Sequence, residues 1–510
     1  MKQITYFLVL ILLASCNHQD AHNDKHDFRQ GDLGNGYFLN PILGGDFPDP
    51  TIVRDGKDFY MTHSSFDYVP GLIVYHSTDL VNWEPISFAL KKYLGSVWAP
   101  DITKHGNRYY IYFTVAHPSG RMNFVTCADS PCGPWSDPVD LKVGNIDPGH
   151  AVGEDGSRWI FLSGGKRARL NDDGLSIVPG SLEQVYTGWA YPSDWVTEGM
   201  CLEGPKIRKI GDYYYYLNAE GGTAGPPTSH MVVVARSKSI NGPWENSPYN
   251  PLIHTWDRSE RWWSKGHGSL IDTPEGGWWI VYHAYENNFT SLGRQTLLEP
   301  VELTTDGWLK APSGKAIEQA IKKPVSSHNR IDRRAKLGEF RVGLDWKFYK
   351  DFDSTRFYVN NKELVLDAKG DSPGTSSPLM CIAGERAYEI EVEIEKDENT
   401  TAGLVLYYNS SFYAGIGFDQ QRTIRYRQGI RRNASNHNGG NHLWLRLKND
   451  NQVLTGAYSY DGIHWTQESW GMEISGYNHN TLYEFQSMLP ALFASGQGKV
   501  RFKNFKYTSL

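Results

Sequence analysis

No basic tract runs anywhere in the chain, and its 51 Lys and Arg are outnumbered by 57 Asp and Glu, for a net charge of −6. That balance leaves no footprint for gripping a phosphate backbone and excludes nucleic acid as a partner. Cysteine is scarce, at five in 510 residues, so a disulfide framework does not hold this protein together. Charged residues reach only 21%, long helical patterns are rare, and the one apolar run near the N-terminus (Ile4 to Leu13) is too short to span a bilayer comfortably. What the chain has instead is 13% aromatic residues with 51 Gly and 26 Pro, a profile of globular β structure. Its length suits two or three domains.

The opening MKQITYFLVLILLASC places a cation, the apolar run and small residues in the order of an export signal. Its end, Leu13-Ala14-Ser15-Cys16, resembles the bacterial lipoprotein box, in which the cysteine is acylated, so residues 1–16 are expected to target the protein to a membrane and Cys16 to carry the lipid. An ordinary cleaved signal is the alternative. Residues 17–35 read as a polar tether. Cys127 and Cys132 straddle a Ser-Pro turn, and a disulfide or two free thiols are both open; Cys201 and Cys381 lie in no thiol-activating context.

One element recurs five times: an apolar strand, a turn containing glycine, and an aromatic-rich strand. The copies are DPTIVRDGKDFYMTHSS, APDITKHGNRYYIYFTV, DPGHAVGEDGSRWIFLSG, EGPKIRKIGDYYYYLNAE and GHGSLIDTPEGGWWIVYHA, with turn glycines at Gly56, Gly106, Gly156, Gly211 and Gly277. Each is an antiparallel hairpin, and three continue into a further strand and a turn ending at Trp83, Trp135 or Trp244. Repeated radially, such units are propeller blades. The expected fold is therefore all-β, with a five-bladed β-propeller over 36–325 and a β-sandwich of jelly-roll type over 326–510, where alternating runs such as YEIEVEIEKD resume after a basic, polar connection from Lys315 to Arg334.

Innermost propeller strands converge, so their matching positions share one small volume. Counted back from the turn glycines, Asp49, Trp98, Asp147, Glu203 and His267 fall seven to ten residues before, which brings three carboxyl groups, an indole and an imidazole to one mouth. Crowded acids are costly to fold around, and three at one level point to chemistry. Glycoside hydrolysis needs this set: a protonated acid for the leaving oxygen and an ionised base for water, with a third anion that raises the pKa of the acid.

The strings FPDPTIV, SVWAPDI, NIDPGHAVGEDG, LEGPKI and GHGS resemble the successive blade motifs of family-43 glycoside hydrolases, over about residues 36–310. SSFDYVPGLIVYHSTDLVNW is similar to the exo-acting β-xylosidase and α-L-arabinofuranosidase branch, and LDWKFYKDFD and GLVLYYN resemble the concanavalin-like domain appended to many of its members. The resemblance implies an inverting glycosidase that releases a terminal β-D-xylose or α-L-arabinofuranose from plant-type glycans. It assigns Asp49 as general base, Glu203 as general acid and Asp147 as the modulator of that acid, with Asp49 and Glu203 carboxyls ~6.5–9.5 Å apart. Asp101, five residues before its glycine and at the opposite strand parity from Trp98, is expected to be structural. Phe66 and Trp98 are candidate pocket walls, with burial in the core as the alternative, and Arg294 is a candidate contact for sugar hydroxyls. His267 matches an axial histidine that in some members orders a water-bound calcium ion, although the hydrolysis itself requires no cofactor. His150 departs from the pattern. A non-catalytic glycan-binding propeller and a retaining β-fructosidase-like enzyme are the competing readings. The sequence does not indicate an oligomeric state.

Overall fold

The computed structural model describes residues 31–327 and 330–510; the expected signal, Cys16 and most of the tether lie outside them. The fold is the expected all-β pair of domains. Five antiparallel sheets, each built on four strands in chain order, make the propeller. Their first strands are Thr51–Asp55, Ser96–His105, Gly149–Val152, Glu203–Ile210 and Trp262–Asp272, and each touches the first strands on either side in a closed ring. The hairpin turns follow the sequence pattern: Gly56, for example, sits at φ +64, where a side chain would be strained.

Apolar residues of adjacent blades pack against each other around the ring. Val53 and Val74 of the first blade meet Ile102, Ile111 and Phe113 of the second, and Ile271, Val281 and Leu298 of the fifth meet Ile52, Phe59 and Met61 of the first. The repeated tryptophans belong to these seams: Trp135 packs toward the first blade, Trp244 toward the third and Trp83 toward the fifth. The segment before the first blade closes the ring without a covalent link. Leu43 bridges to Thr296, and the Asn40 side chain donates to Leu298 O at 3.0 Å and accepts from Leu298 N–H at 2.9 Å.

The polar tether and the polar connection are tied together. Asp32, in the tether by composition, is buried beside Lys323 at 2.9 Å, and Lys323 also pairs with Asp79 at 2.7 Å. The polar connection therefore holds the chain start to the first blade, and Ile321–Lys322 pairs with Tyr37–Phe38. Cys127 is buried, Cys132 is exposed, and both are free thiols.

The second domain is a sandwich of an eight-stranded and a seven-stranded sheet, with Trp346, Ile390, Leu404, Leu445 and Phe502 in its core. One strand of the larger sheet is borrowed. Tyr68–Val69, from the SSFDYVPG segment of the first blade, pairs with Trp346–Tyr349 and forms the sheet's edge. Tyr68 enters an apolar cluster with Met380, Val405 and Phe493.

Asp101 links four blades. Its carboxylate accepts from Thr51 Oγ1 at 3.1 Å and His150 N–H at 2.8 Å, and lies 3.1 Å from Lys206 Nζ. Both members of that ion pair are buried, so removing one leaves a charge without a partner. Asp101→Ala should therefore cost about 3–5 kcal/mol and lower the melting temperature. An unchanged melting temperature would show that the clamp is dispensable.

Candidate active site

At the axis, the backbone repeats one feature in every blade. Asp49, Ala99, Asp147, Gly204 and His267 all lie in the left-handed region, with φ between +33 and +60. Four of these are not glycine, and such residues carry strain of order 1–2 kcal/mol each. Hydrogen bonds to the preceding blade hold three of them in place. Asp49 N–H donates to His283 Nδ1 at 3.0 Å, Ala99 N–H to Ser64 Oγ at 2.6 Å and Asp147 N–H to Thr114 Oγ1 at 2.9 Å. Gly204 meets a different need: a Cβ there would lie 2.9 Å from His267 Nε2.

This register corrects the count from the turn glycines. Trp98 and Glu203 each sit one residue ahead of the left-handed position and are not the equivalents of Asp49, Asp147 and His267. Ala99 and Gly204 lie seven residues before their turn glycines, as Asp49 does, whereas Asp147 and His267 lie nine and ten before theirs, so no single count fits all five blades. The outcome is two tiers. Asp49, Asp147 and His267 are buried at the axis, whereas Trp98 and Glu203 line the open cavity above.

Arg294 governs the charge. Its guanidinium meets both oxygens of Asp49, at 3.0 and 3.4 Å, and Ser64 Oγ donates to the same carboxylate at 2.5 Å. Burial alone would raise the pKa of Asp49, but the Arg294 charge, together with His267 and His283, outweighs it and holds the group well below the usual carboxylate range. Asp147 has no such partner. Burial first, and then repulsion from Asp49, push it up to about 7, while its Oδ2 accepts from Gly204 N–H at 3.1 Å. Glu203 is driven well above its ordinary value by enclosure and by the charges of Asp147 and Asp49. The site thus holds an ionised Asp49 and a Glu203 that retains its proton, with Asp147 titrating near neutrality beside them, the division of roles that acid and base chemistry needs. The ion pair of Asp49 contributes stability at neutral pH that is lost as the pH falls, whereas Asp147 and Glu203 cost stability as the pH rises above their unfolded values.

Phe66 forms part of the wall, buried under the Arg294 guanidinium at 5.6 Å, and Trp98 lies beneath Arg121 at 5.0 Å. His267 Nδ1 is 3.4 Å from Asp49, and burial lowers its pKa to about 3, so the ring is neutral. Its Nε2 is buried without a hydrogen-bond partner, which suits a ligand atom for a hydrated cation. Among the described residues, no group of three His, Cys or carboxylate side chains surrounds it at ligating distance, so a calcium ion there would keep mostly water. His150 lies away from the cavity: it is stacked on Tyr112 and accepts from Arg158 Nε at 3.1 Å, so its departure from the motif does not alter the pocket.

Several site residues escaped the sequence reading. Ser64, Thr114 and His283 sit on or just beyond the second strands and were visible only as parts of quoted motifs. Asp46, pushed up to about 6 by burial, lies beside Gly293 and receives the Arg294 N–H. Phe485 comes from the other domain. It stacks near-parallel to Phe66 at 6.4 Å and meets Trp98 edge-on at 5.9 Å, and with His479 and Tyr483 it forms one side of the cavity that contains Glu203.

Comparison with known proteins gives matches over both domains. Residues 38–309 match the model of glycosyl hydrolases family 43, and residues 372–508 that of the β-xylosidase C-terminal concanavalin A-like domain. A xylan 1,3-β-xylosidase of a Vibrio species is 32% identical, over 92% of this chain and 98% of the relative. A non-reducing-end α-L-arabinofuranosidase of Bacteroides ovatus is also 32% identical, over 72% of this chain and 73% of the relative. The crystal structure of a family-43 protein from Bacillus licheniformis superposes with a TM-score of 0.84 at 27% identity, covering 93% of this chain and all (100%) of that one.

If the guanidinium is what keeps Asp49 ionised, Arg294→Gln should move the acidic limb of the pH–rate profile upward by about one pH unit or more. A limb that stays in place while activity falls would assign Arg294 to substrate contact alone.

Proposed function

The chain belongs to family 43 of the glycosyl hydrolases, and on that premise we propose that it removes single pentose units, β-D-xylose or α-L-arabinofuranose, from the non-reducing ends of plant-type glycans by an inverting mechanism. The observation that carries this reading is the charge division at the axis: Asp49 held ionised beside Arg294, and Glu203 holding its proton next to Asp147. The names of the two relatives above support pentose as the substrate class, one being a xylosidase and the other an arabinofuranosidase. β-Xylose ranks first because the SSFDYVPG segment is present and contributes Phe66 and Asp67 to the cavity wall.

In this mechanism the terminal sugar sits between Glu203 and Asp49. Glu203 gives its proton to the glycosidic oxygen as the bond from C1 to that oxygen breaks. A water molecule attacks C1 from the opposite face, and Asp49 takes the proton it releases. Asp147 stays close to Glu203, keeps its pKa high through like charge, and anchors its strand through Gly204. Arg294 is placed to contact both Asp49 and sugar hydroxyls. A hydrated calcium ion bound through His267 would add positive charge on the axis, and no step depends on it. The sequence of residues 1–16 supports an exported protein anchored to a bacterial membrane by a lipid at Cys16.

Two measurements test the assigned roles. Glu203→Ala should reduce cleavage of unactivated pentosides by about 10²–10⁴-fold, and far less for 4-nitrophenyl pentosides, whose leaving group needs no proton. Equal losses on both would remove Glu203 from the acid role. Asp147→Asn should shift the basic limb of the profile to lower pH, because a negative neighbour of Glu203 is gone; an unmoved limb would contradict the modulator role. Proton NMR of freshly released sugar should show the inverted anomer, and a retained anomer would favour the fructosidase-like reading.

A further inference from the structure

The cavity wall supplied by the second domain ends in a side chain that neither the packing nor the proposed chemistry uses. The helical turn His479–Leu482 closes on Tyr483, whose backbone is left-handed at φ +61 and whose N–H bonds to His479 O at 2.8 Å. A cap of this shape favours glycine, since a side chain is crowded there. Here it carries a tyrosine that is 93% exposed, so burial does not offset the strain. Its ring is nevertheless aligned. Tyr483 lies near-parallel to His479 at 6.5 Å, His479 stacks on Phe485 at 4.1 Å, and Phe485 lies near-parallel to Phe66 at 6.4 Å, with interplanar angles of 13–25°. Four rings thus form a ladder from solvent down to the residue beneath Arg294, along the wall of the cavity that holds Glu203.

We infer that Tyr483 is a specificity-determining residue that holds the leaving-group side of the substrate, offering its ring to the sugar unit next to the bond being cleaved. The inference rests on the glycosidase reading of this cavity. If the terminal sugar occupies the closed end by Asp49, the rest of the glycan must leave through the open mouth where Tyr483 stands. The flat apolar face of a sugar ring packs on an aromatic face, as other apolar surfaces do.

The test compares substrates with and without a leaving-group sugar, using the full chain. On xylo-oligosaccharides of two and four units, Tyr483→Ala should lower kcat/KM about five-fold, while on β-D-xylosyl fluoride, which has no sugar on that side, it should stay within error; the arabinofuranosyl series is run in parallel. Tyr483→Phe should retain most of the activity on the oligosaccharides. Tyr483→Gly should melt no lower than the native chain, because the cap prefers glycine. Equal effects of Tyr483→Ala on fluoride and oligosaccharide, or no effect on either, would overturn the inference and leave the glycosidase reading intact. A native chain that releases no sugar from any of these substrates would overturn both.

Discussion

One guanidinium serves three crowded carboxyl groups. Burial and mutual repulsion push Asp49, Asp147 and Glu203 all toward their protonated forms, and at Asp49 Arg294 is the largest of the interactions that oppose this, with His267 and His283 adding to it. With Arg294 on both oxygens of Asp49, one carboxylate stays ionised, and its charge in turn helps hold protons on the other two. The asymmetry that separates acid from base thus begins with a single ion pair. The fold protects that pair by making Arg294 the first residue of a strand against which the N-terminal segment closes the ring, with Phe47 N–H bonded to Arg294 O at 2.8 Å.

The second domain takes part in the same device. Phe485 covers the Arg294 guanidinium at 5.1 Å, so the sandwich shields the ion pair from water, and shielding strengthens it. Its position is fixed by the strand Tyr68–Val69, only two residues beyond Phe66 in the first blade. A segment that would otherwise be an ordinary blade connection therefore joins the pocket wall to the neighbouring sheet. Pocket and interface share residues, and either one constrains the other.

Much of this was legible in the sequence, for a physical reason. Propeller blades repeat, so the hairpins, the turn glycines and the tryptophan seams announce five equivalent units, and the acids at their inner ends can be found by position. The register was legible only approximately, because the distance from the left-handed residue to the turn glycine varies between blades and a counted position can slip by one; Trp98 and Glu203 illustrate this. Asp32 was read as part of a polar tether and Lys323 as part of a polar connection, because composition records polarity and cannot show that opposite charges are buried together. Phe485 was beyond reach. Its role depends on how two domains dock, and neither periodicity nor spacing within one domain encodes that.

The central claim is a statement about protons, so it is best tested by observing them. Infrared difference spectra of the resting protein near neutral pH distinguish ionised from protonated carboxyl groups. The account predicts that Asp49→Asn removes a carboxylate band, whereas Glu203→Gln removes a protonated carboxyl band. Loss of a carboxylate band from both variants would contradict it, because the two groups would then share one charge state and the ring of blades would have produced no division between acid and base.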